Sequence, residues 1–291
     1  MKNFITYGCI IIVLSTLANI GAAATQCSTT STFSSHSGAG NEFLDPGNCS
    51  KDAESFKLKV YEFAICTSHA TVADKSMCTT LFEDTAGSDL TLSKGASLPL
   101  GADVTLAEGT YTHAYILVDN VMYLKVSHEF SSVRRDRGGL NSGIYCYSNG
   151  VDRVYTGNPP ELVNSIITCS NTAPTTATNL PTKETLSFAD DSENWVSSMV
   201  DNATGTNLYM LKADGTASTS LATDDTILAS QDITDVVISP TTAGMNIAFT
   251  VTDTVGLMLQ PAGNGGTCPA GTGDCVIDSG WIGMQFRVTA N

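Results

Sequence analysis

The sequence predicts an all-β protein: two antiparallel β-sandwich-like domains with disulfides, and at most one short helix. Three observations carry that expectation. Short runs rich in β-branched and aromatic residues alternate with polar ones. Gly, Asn, Asp and Pro separate those runs at short intervals, as in sandwiches and barrels. The cysteines beyond the first residues are even in number: Cys27, Cys49, Cys66, Cys78, Cys146, Cys169, Cys268 and Cys275.

The chain opens with Lys2, an apolar run from Phe4 to Ile20 and the small residues Gly21-Ala22-Ala23-Ala24. A positive start, a short apolar segment and an Ala-rich end make a secretory signal peptide over 1–24, which would remove Cys9. No later stretch has the length and apolarity of a membrane-spanning helix, so no transmembrane anchor is expected. In an oxidising compartment the eight remaining cysteines form disulfides, and sequential pairing is the simplest arrangement: Cys27–Cys49, Cys66–Cys78, Cys146–Cys169 and Cys268–Cys275. No pair has the two-residue gap of a structural zinc site. Lys and Arg total 14 against 29 Asp and Glu, a net charge of −15. That balance excludes nucleic acid as a partner and disfavours anionic lipid. The expected location is secreted or cell-surface, periplasmic or extracellular.

Residues 25–50 begin as a Ser/Thr/Gly-rich arm, read as a flexible leader that a neighbouring subunit could accept as a donor strand. A first sandwich domain is expected over 51–169. In its first strand, Ser55–Thr67, Phe56, Leu58 and Val60 share a phase that passes to Tyr61, Phe63 and Ile65, so a bulge is predicted. Short strands follow at Thr80–Glu83 and Asp89–Leu92. The central stretch runs from Leu106 to Phe130: a strand to Val118, a turn at Asp119-Asn120 and a returning strand, making a hairpin. Tyr111, His113, Tyr115 and Leu117 would share one of its faces. Arg134, Arg135 and Arg137 read as a solvated basic loop. Gly143–Tyr147 is a strand that Asn149-Gly150 turns into Val151–Thr156. Asn158-Pro159-Pro160-Glu161 would cap the one short helix, with Leu162, Val163, Ile166 and Ile167 on one face.

Residues 170–182 form a Thr/Pro/Asn linker to an acidic sandwich domain over 183–291, where Lys183, Lys212 and Arg287 are the only basic residues. Its strands are expected at 207–211 (ended by an Asp214-Gly215 turn), 226–229, 235–239, 245–252, 255–259 and 281–289.

Leu106, Gly109 and Tyr111 at the entry to the central strand resemble a pattern of prealbumin-like and collagen-adhesin B-type β-sandwich modules, with Glu108 where those modules often carry proline. The tyrosine of such an entry packs its ring while its hydroxyl caps nearby backbone. The wider set Ile65-Cys66-Thr67, Cys78 and Gly109-Thr110-Tyr111-Thr112-His113 resembles a loosely defined group of uncharacterised secreted bacterial proteins over roughly residues 55–130. That resemblance implies a surface or extracellular structural role and no particular activity.

Chemistry is sparse. The histidines are His36, His69, His113 and His128, none at metal-ligand spacing; His113 and His128 would meet across the expected hairpin, as packed strand histidines. His69, Asp103 and Ser279 follow the chain order of a chymotrypsin-like triad, but Trp281 stands where the second glycine after the serine belongs. The acidic loop Asp190, Asp191 and Glu193 offers oxygen ligands for calcium, as do Asp201 with Asn202 and Asp224-Asp225, all without EF-hand spacing, and no other cofactor is expected. Trp195 and Trp281 are candidates for stacking on a glycan. The expected function is non-enzymatic: a cell-surface or extracellular structural protein, such as a filament or pilus-like subunit, acting through protein contacts and self-assembly. The alternatives are a secreted, calcium-assisted glycan-binding adhesin-like module and, third, a secreted hydrolase.

Overall fold

The computed structural model describes residues 25–36, 48–93, 97–98, 106–156, 161–186, 188–189, 195–201, 205–242, 244–250, 253–271, 273–281 and 285–290. The expected signal peptide over 1–24 lies outside them. In chain order the elements are helix α1 (Phe33–His36) and strands β1 (Asn48–Lys51), β2 (Ser55–Cys66), β3 (Cys78–Leu92), β4 (Ser97–Leu98), β5 (Gly109–Lys125), β6 (Ser127–Asp136), β7 (Ser142–Ser148), β8 (Tyr155–Thr156), β9 (Glu161–Leu162) and β10 (Ile167–Ser170). They continue with β11 (Thr182–Thr185), β12 (Phe188–Ala189), β13 (Trp195–Val196), β14 (Ser198–Asp201), β15 (Thr206–Leu211), β16 (Thr226–Ile238), β17 (Met245–Thr250), β18 (Val255–Gln260), β19 (Cys275–Trp281) and β20 (Gln285–Ala290).

Two large sheets dominate. One runs β1-β18-β19-β6-β7-β10; the other runs β14-β15-β16-β5-β2-β3, with β11 also pairing β5. A smaller sheet, β20-β17-β4, stands beside them. Among the described strands, pairing is antiparallel apart from a short parallel contact between β19 and β6. The chain is therefore mostly β, and all four cysteine pairs are those expected from sequential order.

Strands from either side of residues 170–182 share sheets: β16 pairs β5, β18 pairs β1 and β19 pairs β6. The expected boundary does not separate the sheets. One core cluster includes Phe56, Ile116 and Phe130 together with Phe249, Leu257, Val276 and Val288. The polar segment is a surface crossing that stays attached: Asn179 is buried, donates to Glu54 Oε2 at 2.9 Å and accepts from Ser148 Oγ at 2.7 Å. Between the sheets lies a buried ion group in which the Arg153 guanidinium donates to Glu184 Oε1 on β11 and Asp278 Oδ2 on β19. Burial pushes both carboxyl pKa values up, partly offset by the guanidinium.

Several local expectations hold. β2 alternates buried and half-buried through Val60, then shifts register between Val60 and Glu62, where the phase change predicted a bulge. Tyr111 is buried, and its hydroxyl donates to the Ala107 carbonyl at 3.0 Å. Asp214 and Gly215 make their turn, with Gly215 at φ 79° and Asp214 Oδ1 accepting from the Thr216 amide.

Others are corrected. There is no turn at Asp119-Asn120: β5 is one strand of 17 residues, because Asn120 is buried and bonds the carbonyls of Asp225 and Asp224 while Asp119 accepts from the Val121 amide. The chain leaves that sheet after Lys125 and β6 belongs to the other one, so His113 and His128 do not meet. His128 instead bonds the Ser28 carbonyl and packs against Phe130. The helix expected after Pro160 is replaced by β9 and β10; Ile166 and Ile167 are both buried and Cys169 is tied to Cys146, which suits β-branched residues on a strand better than one helical face. Arg134 is not solvated: it is buried on β6, over the Phe130 ring, and donates to the Ser31 carbonyl at 2.6 Å. The arm is docked rather than free over 25–36: Gln26 bridges to Ser50, Ser131 donates to Thr29, and Phe33 donates to Asp274.

Candidate metal centre

β5 lies between β2 and β16, and the register places Cys66 of β2 and Asp232 of β16 on either side of His113. Directly opposite residues of an antiparallel pair share a face, so these three side chains stand in one row. After Asp232 the next registered pair is Val236 with Tyr111, an irregularity that breaks the alternation. Tyr111 thus joins the main core while Tyr115 and Leu117 serve a second, smaller one, and the shared face expected for all of them ends at the bulge.

The second core is roofed by residues 67–77, the loop closed by Cys66–Cys78. Ala70 enters it beside Tyr115, Leu211 and Leu228. The Ser230 hydroxyl, buried on β16, accepts from the Ala70 amide at 3.0 Å and bonds His69 Nδ1 at 3.1 Å. This swings His69 over the row. Its Nε2 lies 3.3 Å from Asp232 Oδ1, and His113 Nε2 lies 3.0 Å from the same oxygen. The two rings meet edge-on with centroids 4.3 Å apart. Among the described residues this is the group whose ligand atoms converge, all within 4.8 Å of one another.

Hydrogen-bond polarity decides what the group offers. The Thr112 hydroxyl has one proton, which it donates to the Thr67 carbonyl at 3.2 Å, so at 2.6 Å it accepts from His113 Nδ1–H. With Nδ1–H so committed, Nε2 of His113 faces the Asp232 carboxylate at 3.0 Å, a contact that either a proton on the ring or a bound cation completes. Burial, reinforced by the neighbouring His113, lowers the pKa of His69 against the opposing pull of Asp232 and Ser230, favouring the neutral ligand form. Side-chain exposure is 29% for His69, 19% for His113 and 57% for Asp232, so an ion can enter from solvent. A tetrahedral ion with bonds of about 2.0–2.1 Å spaces its ligands about 3.3–3.4 Å apart. The two edges that meet at Asp232 Oδ1, 3.0 and 3.3 Å, are close to that spacing. Gly205, at φ +60°, passes so near that an added Cβ would lie 2.2 Å from Asp232 Oδ2; its carbonyl accepts the Asp232 amide.

The expected calcium residues Asp190, Asp191 and Glu193 lie outside the described residues, as does Asp103. Asp224 and Asp225 are bound up in backbone contacts beside Asn120. The triad order does not translate into a triad: Ser279 is buried on β19, in the other large sheet, while His69 bonds Ser230 and Asp232. Trp281 packs against the main core and its amide donates to Glu184. Sequence reasoning singled out His69 and His113 separately and passed over Asp232. No local spacing links residues 69, 113 and 232; only the pairing of β16 with β5 does. Comparison of the chain with family models, with curated proteins and with solved structures returns no match.

Proposed function

We propose that this is an exported, disulfide-stapled β protein that works by binding, and that it holds one borderline transition-metal ion, Zn2+ first among them, at His69, His113 and Asp232. The observation that carries the reading is the convergence of both Nε2 atoms on one carboxylate oxygen. Two imidazoles and a carboxylate suit zinc or copper, whereas calcium takes an all-oxygen shell. The Thr112 and Ser230 hydroxyls supply the outer hydrogen bonds that orient ligating histidines. Four disulfides accord with an oxidising location, and no described helix is long and apolar enough to cross a membrane. The test is calorimetric titration of oxidatively folded protein with Zn2+ and Ca2+. One Zn2+ per chain with no Ca2+ response supports the reading; no saturable Zn2+ binding sinks it.

A second reading keeps the surface or filament role through protein contacts. Its support is β3, a 15-residue strand that ends the seven-stranded sheet among the described residues, a position to which a further strand can add. Light scattering after size exclusion tests it; a monomer with and without metal removes it.

A further inference from the structure

We propose that the Cys66–Cys78 disulfide governs the metal centre: its reduction by an external thiol lowers the Zn2+ affinity, and bound Zn2+ in turn protects the disulfide. This rests on the metal-binding reading above. The strand registers put Cys78, Cys66, His113 and Asp232 opposite one another across β3, β2, β5 and β16. The disulfide is thus in the same cross-strand row as two of the ligands, one strand away from His113.

The ligands differ in how they are held. His113 and Asp232 stand on paired strands inside a sheet. His69 belongs to residues 67–77, which contain neither helix nor strand and whose two ends are joined by this disulfide. Within the loop, Thr67 donates to the Met77 carbonyl, Thr71 to Asp74 and Cys78 to Lys75, a frame whose ends are fastened by this disulfide in addition to the β2–β3 pairing. Thr112, which orients His113, bonds the Thr67 carbonyl next to the disulfide. Opening the bridge therefore loosens the His69 ligand and the Thr112 support of His113 at once. Cys78 is half-buried, whereas both partners of Cys146–Cys169 and of Cys268–Cys275 are buried, so a reductant reaches this bridge before those two.

The chemistry balances with a monothiol such as glutathione. One thiolate attacks a sulfur of the bridge and releases the other as a thiolate that takes up a proton. A second thiolate attacks the mixed disulfide, so that Cys66 and Cys78 end as two thiols and the reductant as its own disulfide. Two electrons and two protons pass to the protein. Linkage makes the coupling reciprocal: the factor by which reduction weakens Zn2+ affinity is the factor by which saturating Zn2+ multiplies the ratio of squared glutathione to glutathione disulfide needed for reduction.

Two measurements on the full chain test this, with free Zn2+ clamped by a chelator buffer. Affinity is compared between oxidised wild type and the Cys66→Ser/Cys78→Ser variant, and wild type is equilibrated in glutathione redox buffers with and without Zn2+, its thiols being counted by alkylation and mass spectrometry. The expected result is a loss of about tenfold or more in the variant, the size of effect seen when supports of metal ligands are removed, and a matching shift of the redox midpoint ratio in wild type. The second arm decides the matter if the variant does not fold. Equal affinities with an unmoved ratio overturn the coupling alone. Tighter binding on reduction overturns it too and makes a freed thiolate a ligand. Failure of the oxidised wild type to bind Zn2+ overturns the metal-binding reading and this inference with it.

Discussion

Two clusters in this protein combine the same ingredients, cationic or imidazole nitrogens set against carboxylates, and they behave in opposite ways. At the Arg153 site the half-buried guanidinium pairs with Glu184 and Asp278, both of which are buried. At the His69–His113–Asp232 site two imidazole Nε2 atoms converge on one carboxylate oxygen at a half-open surface. The first closes on itself and serves cohesion between sheets; the second stays open to an ion. A guanidinium carries its donors permanently, whereas a neutral imidazole whose Nδ1–H is already committed has only a lone pair to present.

The sharpest way to break the comparison is Arg153→Ala. Two buried carboxyls would lose their counter-charge, and a destabilisation of about 3–5 kcal/mol is expected in denaturant unfolding, with Zn2+ affinity per folded molecule unchanged. Asp232→Asn should do the reverse: Zn2+ affinity falls by roughly tenfold to a hundredfold in calorimetric titration, while unfolding free energy moves by less than about 0.5 kcal/mol because the side chain is exposed. Gly205→Ala joins the two effects, since strain at φ +60° costs about 1–2 kcal/mol and the new methyl displaces Asp232; weaker Zn2+ binding together with a lower melting temperature is the expected outcome.

The smallest effect concerns pH. The folded pKa values of Glu184 and Asp278 lie above their unfolded ones, so the folded state binds more protons over that interval. Their contribution is present in full below the unfolded carboxylate range and is lost as pH rises through the raised folded values. Melting temperature measured without metal should fall as pH rises through that window, and Glu184→Gln should flatten the slope.

Much of the fold was legible because it was written in nearest neighbours. The phase change at Tyr61, the Tyr111 entry, the Asp214-Gly215 turn and the sequential disulfides all rest on spacings of a few residues or on loop closure. What failed depended on distant partners. Asp119-Asn120 has turn chemistry, yet Asp224 and Asp225, about a hundred residues later, satisfy Asn120 within a continuous strand. The polar run 170–182 has linker composition, yet the strands it joins belong to shared sheets. The candidate site was illegible for the same reason: His69 was visible only as a decoy base, His113 only as a packed strand residue, and Asp232 not at all.

The pairing of β5 with β16 also orders events in time. Residues 106–125 are made long before Asp232, and β1 waits longer still for β18 to cover it. Contacts of such range close slowly, after most of the chain is available. In a chain threaded unfolded through a membrane, the metal centre would come into being only on the far side. Under the proposed export and metal binding, its first ion would be drawn from the surroundings it enters, and the occupant of the site would report the metal supply outside the cell rather than within it.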